Sequence, residues 1–192
     1  MSRLPEHFYT RTDTVQVARD LLGKHLITHF DGVLTSGIIT ETEAYLGAED
    51  KACHAYGHKR TNRTEPMFAA GGIAYVYLCY GIHHLFNVVT HTEGNSHAVL
   101  VRAVQPAEGI DTILERRKKR QIDKTTSGGP GTLSQALGIR TQHTGLNLRG
   151  EQIWIEDRTI VVPESSISVG PRIGVDYAEE DALLPYRFVA KL

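Results

Sequence analysis

The sequence predicts a single mixed α/β domain, residues 1–192, built on a largely antiparallel β-sheet. A length of 192 residues is enough for one well-buried domain. Short β-rich runs separated by turn signals recur along the chain, whereas helical spacing is confined to a few short segments. No internal repeat occurs, and no linker is long enough to divide domains. One domain is therefore the economical interpretation.

The first predicted elements are a helix and a hairpin. Thr12-Asp13 can cap a helix that runs to about Leu22. Strand-like segments follow at 26–30 and 36–45. The turn signal Asp31-Gly32 between them predicts a hairpin that leads into the second strand.

The middle of the chain predicts a second hairpin. The polar stretch 48–64 is expected to form a short helix and a loop. A strong β run at 73–80 and a second run at 85–90 then pair around a tip at 80–83. Tyrosines at alternate positions of the first run share one face of this hairpin.

The remainder of the chain supplies helices and closing strands. A helix is expected at 109–120, and its five C-terminal basic residues suit either the helix dipole or DNA binding. A glycine-rich segment, 128–131, precedes a short helix at 133–137; it could accept a phosphate or simply form a turn. The remaining strands are expected at 98–104, 153–155, 160–162 and 187–189.

Composition excludes several classes of protein. The formal net charge of -1 does not indicate a nucleic-acid partner, so any such contact needs a local basic face. No apolar run approaches the roughly 20 residues that span a bilayer. The N-terminal residues lack the apolar region of a signal peptide, and Cys53 and Cys79 fit neither a disulfide framework nor a CxxC pair. We expect a cytoplasmic protein, with no membrane partner.

The predicted strand at 36–45, called the acidic strand below, carries two carboxylates and a tyrosine at alternate positions. Glu41, Glu43 and Tyr45 therefore point to one face. A partly buried carboxylate can take a proton from water during hydrolysis, an effect worth roughly 10²–10⁴ in rate. Either glutamate could be this base, because spacing alone does not choose between them.

Histidines supply a rival hypothesis. His54 and His58 are spaced i, i+4, which on a helix would direct both at one metal ion. Glu49, Asp50 or Cys53 could complete the ligand set. Gly57 weakens that helix, and no HExxH signature is present.

A set of short motifs runs in order over nearly the whole sequence. These motifs are Glu41-Thr42-Glu43-Ala44-Tyr45-Leu46-Gly47, His54, Met67-Phe68, Tyr75-Val76-Tyr77, Tyr80-Gly81, Asn87, Leu100-Val101-Arg102-Ala103, Gly129-Pro130-Gly131, Gln135-Ala136-Leu137, Arg172-Ile173-Gly174-Val175 and Pro185-Tyr186-Arg187-Phe188. Together they resemble the alkyladenine (3-methyladenine) DNA glycosylase family, and the acidic and tyrosine motifs make the resemblance specific.

The resemblance implies base excision repair by a monofunctional glycosylase. The sheet is expected to be curved, with a protruding hairpin that enters the DNA minor groove. Glu43 resembles the base that activates water, and Arg102 the arginine that helps to hold that water. The implied partner is double-stranded DNA with alkylated or deaminated purines, bound by a monomer. Neither a cofactor nor a metal is expected, and the absence of lysine from the motifs implies no lyase step.

The same resemblance assigns a pocket for the damaged base. Tyr45 and Tyr77 match the aromatic residues that sandwich it, and His54 the histidine that packs and hydrogen-bonds against it. Asn87 matches the asparagine that crowds the amino group of guanine. Tyr80 matches the wedge that intercalates into the DNA.

Three other interpretations stay open at this level. A damage-recognising DNA-binding module would use the same hairpin without catalysis, but it has no use for a buried carboxylate near phosphates. A metal hydrolase would be built on His54 and His58. A fold-level likeness to the C-terminal domain of formyltransferases leaves the acidic strand unexplained.

Overall fold

The architecture is one nine-stranded sheet with helices packed on it, as given by a computed structural model that describes residues 2–192. The strands are β1 (Ser2–Arg3), β2 (His25–Phe30), β3 (Val33–Leu46), β4 (Ala74–Cys79), β5 (His83–Thr90), β6 (His97–Glu108), β7 (Ile153–Asp157), β8 (Ile167–Gly170) and β9 (Arg187–Ala190). The α-helices are α1 (Glu6–Tyr9), α2 (Thr14–Asp20), α3 (Ile110–Arg117) and α4 (Pro130–Leu137). Short 3₁₀ helices lie at Gly47–Glu49, Tyr56–His58, Glu65–Phe68, Thr141–His143, Glu164–Ser166 and Asp176–Leu183.

The sheet is antiparallel throughout its described pairings, which confirms the predicted fold class. Its strand order is β1-β7-β2-β3-β6-β5-β4, and β9 pairs with both β3 and β8. The predicted β2–β3 hairpin forms because Asp31 and Gly32 both take positive φ, 54° and 77°, as a tight two-residue hairpin turn requires. Asp13 caps α2 as predicted, by accepting a hydrogen bond from the Gln16 amide at 2.9 Å.

The main core lies between the sheet and α2, α3 and α4. It is built from the inward residues of β2, β3, β5 and β6 together with apolar positions of those helices, such as Val17, Ile113 and Leu133. A second cluster packs on the other side of the β4–β5 hairpin, around Met67, Phe68 and Tyr75. This second cluster underlies the site described below.

One local prediction is wrong. Residues 160–162 form no strand, because Thr159 turns the chain at a φ of 61° and Pro163 follows; the closing strand is instead β8, beside β9. The stretch 48–64 forms loops with short 3₁₀ helices and no α-helix. Over the described part of the chain, no helix has the length and apolarity needed to cross a membrane.

Candidate active site

The strongest candidate for a functional site is a cavity of about 430 Å³ beside the β4–β5 hairpin. Its walls come from β3, β4, β5 and β6, from the glycine-rich start of α4, from the segment that carries Cys53, His54 and Met67, and from the loop that follows Arg172. The side chains that line it are mostly aromatic or apolar, with a few polar groups among them. They include Tyr45, Cys53, His54, Met67, Tyr75, Tyr77, Tyr80, Leu85, Asn87, Arg102, Ile173 and Tyr177. An apolar pocket with few convergent polar groups is typical of a ligand site.

Glu43 lies directly behind this cavity and is completely buried, with 0% of its surface exposed. Its Oε1 accepts a hydrogen bond from the Ile173 amide at 2.8 Å and lies 3.4 Å from Nη1 of Arg102. Its Oε2 accepts a hydrogen bond from the Tyr45 hydroxyl, also at 2.8 Å. All three of these partners line the cavity. Glu43 therefore borders the cavity through these three residues.

The environment of Glu43 acts on its ionisation in two directions. Burial raises the pKa of the carboxyl above its ordinary value, because the charged form loses hydration. The charge of Arg102 and the hydrogen bonds from Ile173 and Tyr45 lower it in part. A carboxyl with a raised pKa and a hydrogen-bonded carboxylate form suits proton transfer near neutral pH.

Arg102 reaches both glutamates because the β3–β6 ladder is irregular at this point. The register shifts on each side of Glu41, and Arg102 has no Cα partner of its own on β3. Irregularities of this kind re-aim side chains next to active sites. The Arg102 Nε donates to Glu41 at 2.9 Å, so Glu41 holds the guanidinium whose other end faces Glu43.

Tyr45 is supported from behind by a buried ion pair. The Arg172 guanidinium lies 4.8 Å from the centre of the Tyr45 ring and is itself only 5% exposed. It pairs with Asp50 in a two-point contact, one bond of which measures 2.8 Å, and it also donates to the Ala44 carbonyl at 2.9 Å. Burial and the Glu43 carboxylate raise the pKa of Tyr45 well above its ordinary value, so the hydroxyl remains a donor.

His54 packs against the two tyrosines of β4. Its ring meets the Tyr77 ring edge-on at 4.5 Å, and its Nδ1 lies 3.0 Å from the Tyr75 hydroxyl. Burial, with the charges of Arg63 and Lys59, lowers the pKa of His54 to about 4, so the imidazole is neutral at pH 7. Its Nε2 lies 3.3 Å from Nη2 of Arg63.

Asn87 presents a fixed amide to the cavity floor. Its Nδ2 donates to the Tyr75 carbonyl at 3.1 Å and to the Leu85 carbonyl at 3.2 Å. Both amide hydrogens are thereby used, which fixes the orientation of the side chain. Asn87 is consequently a rigid part of the wall.

The tip of the β4–β5 hairpin carries two exposed apolar side chains. Tyr80 and Gly81 take φ values of 51° and 72°, and Ile82 donates back to the Cys79 carbonyl at 3.2 Å. These values describe a tight hairpin turn, in which glycine relieves one of the two strained positions. The turn leaves Tyr80 91% exposed and Ile82 71% exposed. Both are available to a partner.

The glycine-rich segment forms a close contact beneath this hairpin. A Cβ on Gly131 would lie 2.7 Å from Nδ1 of His83, so any other residue there would require the His83 side chain to move. The Gly129 amide donates to the Thr132 hydroxyl at 3.0 Å, which occupies one of the free donors at the start of α4. The segment is thus the first turn of α4, which packs against the hairpin.

The metal interpretation loses the helix on which it depended. Gly57 lies between the two histidines with a φ of 64°, His58 is exposed, and His54 faces the tyrosines. Across residues 2–192, no three histidine, cysteine, aspartate or glutamate side chains form a group that could hold a metal ion.

The structure brings together all seven residues selected from the sequence. Tyr45, His54, Tyr77, Tyr80, Asn87 and Arg102 line one cavity, and Glu43 lies behind its wall. Sequence reasoning missed the functional contacts of Ile173, Arg172, Asp50 and Arg63. No local pattern identifies them, because each contacts a segment distant along the chain or acts through its backbone amide.

Comparisons with known proteins indicate a family for the chain. A family model described as methylpurine-DNA glycosylase matches residues 7–192. A relative from Chlamydia felis is 46% identical over 190 residues, which cover 98% of this chain and 96% of the relative. One from Bacillus cytotoxicus is 47% identical over 198 residues, which cover 97% and 95%. Both relatives are provisionally named 3-methyladenine DNA glycosylases.

Proposed function

The chain belongs to the methylpurine-DNA glycosylase family, and we propose that this DNA glycosylase flips alkylated or deaminated purines out of duplex DNA and hydrolyses their N-glycosidic bond with a water activated by Glu43. The observation that carries the proposal is a wholly buried carboxylate directly behind an aromatic cavity and beside Arg102. A binding module without catalysis would gain nothing from burying that charge. The product is an abasic site.

Extrusion of the nucleotide uses the hairpin tip and the cavity. Unstacking and unpairing a base costs a few kcal/mol, least for a damaged pair. Tyr80, at the exposed tip, fills the vacated stack as a wedge. Tyr45 and Tyr77 then stack on the extruded base, and this stacking stabilises the flipped state by roughly 1–3 kcal/mol per base. His54 packs and hydrogen-bonds against the base, and Asn87 crowds the amino group of an undamaged guanine.

Hydrolysis uses the acidic strand. A water held by Arg102 on the cavity side of Glu43 attacks C1′ through its oxygen while the bond from C1′ to the base nitrogen breaks. The proton of the water passes to the Glu43 carboxylate, and the base leaves with the bonding electron pair. Arg102 holds the water, and Glu41 fixes Arg102. A purine made cationic by alkylation leaves readily, so this substrate class needs no dedicated acid.

The enzyme is proposed to be a monofunctional monomer. A lyase step would need an amine to form a Schiff base with C1′. No lysine of residues 2–192 lines the cavity, which supports hydrolysis alone.

Single-turnover excision tests the proposal. Duplexes carrying 3-methyladenine, 7-methylguanine, hypoxanthine or ethenoadenine are incubated with enzyme and a chelator, and abasic sites are detected by alkaline cleavage. Glu43→Gln is expected to lower the rate about 10²–10⁴-fold. Glu41→Gln is the matched control on the same strand and face, expected to cost only a few-fold through Arg102.

Three outcomes would contradict the assignment. Wild-type rates in Glu43→Gln remove its role as the base. An equal loss in Glu41→Gln would transfer the role to Glu41 or to Arg102. Activity that disappears with chelator and returns with zinc would favour metal-dependent hydrolysis.

A further inference from the structure

Arg63 lies outside the cavity, yet it touches two of the residues that form the cavity wall. Its guanidinium carbon is 4.9 Å from the centre of the Tyr77 ring. Its Nη2 is 3.3 Å from Nε2 of His54. Arg63 lines a separate cleft of about 320 Å³, which is also bounded by Tyr77, and it does not line the main cavity. The guanidinium thus covers the face of Tyr77 that points away from the main cavity.

The contact with His54 fixes the position of the imidazole proton. An arginine side chain only donates hydrogen bonds, so Nε2 of His54 must accept. A neutral imidazole that accepts at Nε2 carries its proton on Nδ1. The Nδ1–H then donates to the Tyr75 hydroxyl, 3.0 Å away. A directed chain of hydrogen bonds runs from Arg63 through His54 to Tyr75.

We propose that Arg63 is a positioning residue of the main cavity: it holds His54 as the Nδ1-protonated neutral tautomer and packs on the Tyr77 ring from outside the cavity. One side chain thereby fixes both the stacking surface and the histidine beside it. This inference rests on the proposed function for its effect on excision, but its effect on His54 does not.

The same geometry keeps the His54 imidazole neutral as the pH falls. The charged or titratable groups that face His54 are Arg63 and Lys59 from its own segment, and Tyr75 and Tyr77 from β4. The two cations oppose protonation of the imidazole, and the tyrosines are neutral. Without Arg63, His54 therefore becomes charged at a higher pH than in the wild-type protein. Its neutral form is also no longer held as the Nδ1–H tautomer.

Two-bond ¹H–¹⁵N spectra of the imidazole nitrogens test the tautomer directly. The His54→Gln spectrum assigns His54 among the ten histidines. In the wild-type protein we expect the Nδ1–H pattern; in Arg63→Met we expect mixed tautomers and protonation at higher pH. Arg60→Met is the matched control, because Arg60 lies 4.8 Å over the Phe68 ring but does not contact His54. Its His54 signals should match wild type.

Excision supplies the second measurement. The single-turnover rate of Arg63→Met, divided by that of wild type, should be about three- to tenfold lower at about pH 5.5 than at about pH 8. An Nε2–H pattern in the wild-type protein, or an unchanged His54 spectrum in Arg63→Met, overturns the inference. So do equal rates for Arg63→Met and wild type at both pH values. If the wild-type protein excises no lesion, the proposed function fails, while the spectra still decide the tautomer.

Discussion

Replacement of Tyr45 by phenylalanine isolates a single hydrogen bond at the reacting carboxylate. The variant keeps the ring, and hence the stacking surface above the Arg172 guanidinium, but it loses the hydroxyl that donates to Glu43 at 2.8 Å. Because burial already raises the pKa of Glu43, loss of this donor raises it further. The carboxylate is then ionised over a narrower pH range.

The magnitude follows from the two charge states of Glu43. A hydrogen bond to a charged group contributes about 1.5–3 kcal/mol, and one between neutral groups about 0.5–1.5 kcal/mol. The difference, about 1–1.5 kcal/mol, is what favours the ionised state, and it corresponds to about a 5- to 12-fold change in the ratio of ionised to protonated Glu43. Tyr45→Phe should therefore be about 5- to 12-fold slower than wild type where Glu43 is mostly protonated. At high pH the two rates should converge.

Single-turnover excision between about pH 5 and pH 8.5, with enzyme in saturating excess, measures this ratio. Any titration of the damaged base cancels when both proteins act on the same duplex. Tyr77→Phe is the matched control, since its ring lines the same cavity but its hydroxyl does not bond to Glu43. A rate ratio for Tyr45→Phe that stays constant with pH, or an equal pH-dependent loss in Tyr77→Phe, would refute the reasoning.

Three further predictions concern stability and DNA engagement. The folded state raises the pKa of Glu43, so it binds more protons than the unfolded chain and loses stability as pH rises from the unfolded pKa of about 4.3 through the higher folded pKa. Thermal unfolding should show Glu43→Gln more stable than wild type, with a gap that grows over this pH range and is constant above it. Arg172→Met leaves Asp50 buried without its ion-pair partner, so denaturant unfolding should show a free energy of unfolding about 3–5 kcal/mol lower than wild type. Arg149→Met, which breaks an exposed ion pair, is the control and should lower it by at most about 1 kcal/mol. Tyr80→Ala should change stability by no more than about 0.5 kcal/mol but slow excision from duplex more than from single-stranded DNA; unchanged duplex activity would exclude the wedge role.

Most of the sheet could be predicted because its signals are local. Asp31-Gly32 and Tyr80-Gly81 determine two hairpins through backbone conformations that those few residues adopt themselves. The same reasoning misplaced one closing strand, because β-rich residues at 160–162 fit a strand by composition alone. Whether such a run pairs depends on its distance from a free sheet edge. Here that edge, β9, is paired by residues 167–170.

The sequence by itself determined the chemistry available at the site. Alternation along β3 places Glu41, Glu43 and Tyr45 on one face, and the order of the motifs indicates the family. The sequence alone could not distinguish the environments of Glu41 and Glu43. That distinction needs the fold, which brings Ile173 and Arg102 onto Glu43 and leaves Glu41 as the ion-pair partner of Arg102.

Only the tertiary structure decided how the cavity wall is supported. Arg172 contacts Asp50 and the Tyr45 ring, each more than 120 residues away along the chain. Arg63 contacts His54 and Tyr77 from the loop that lies between them in the sequence. The physical reason is that burial and hydrogen bonding depend on which segments meet in space, whereas sequence periodicity reports only which face a side chain occupies on its own element.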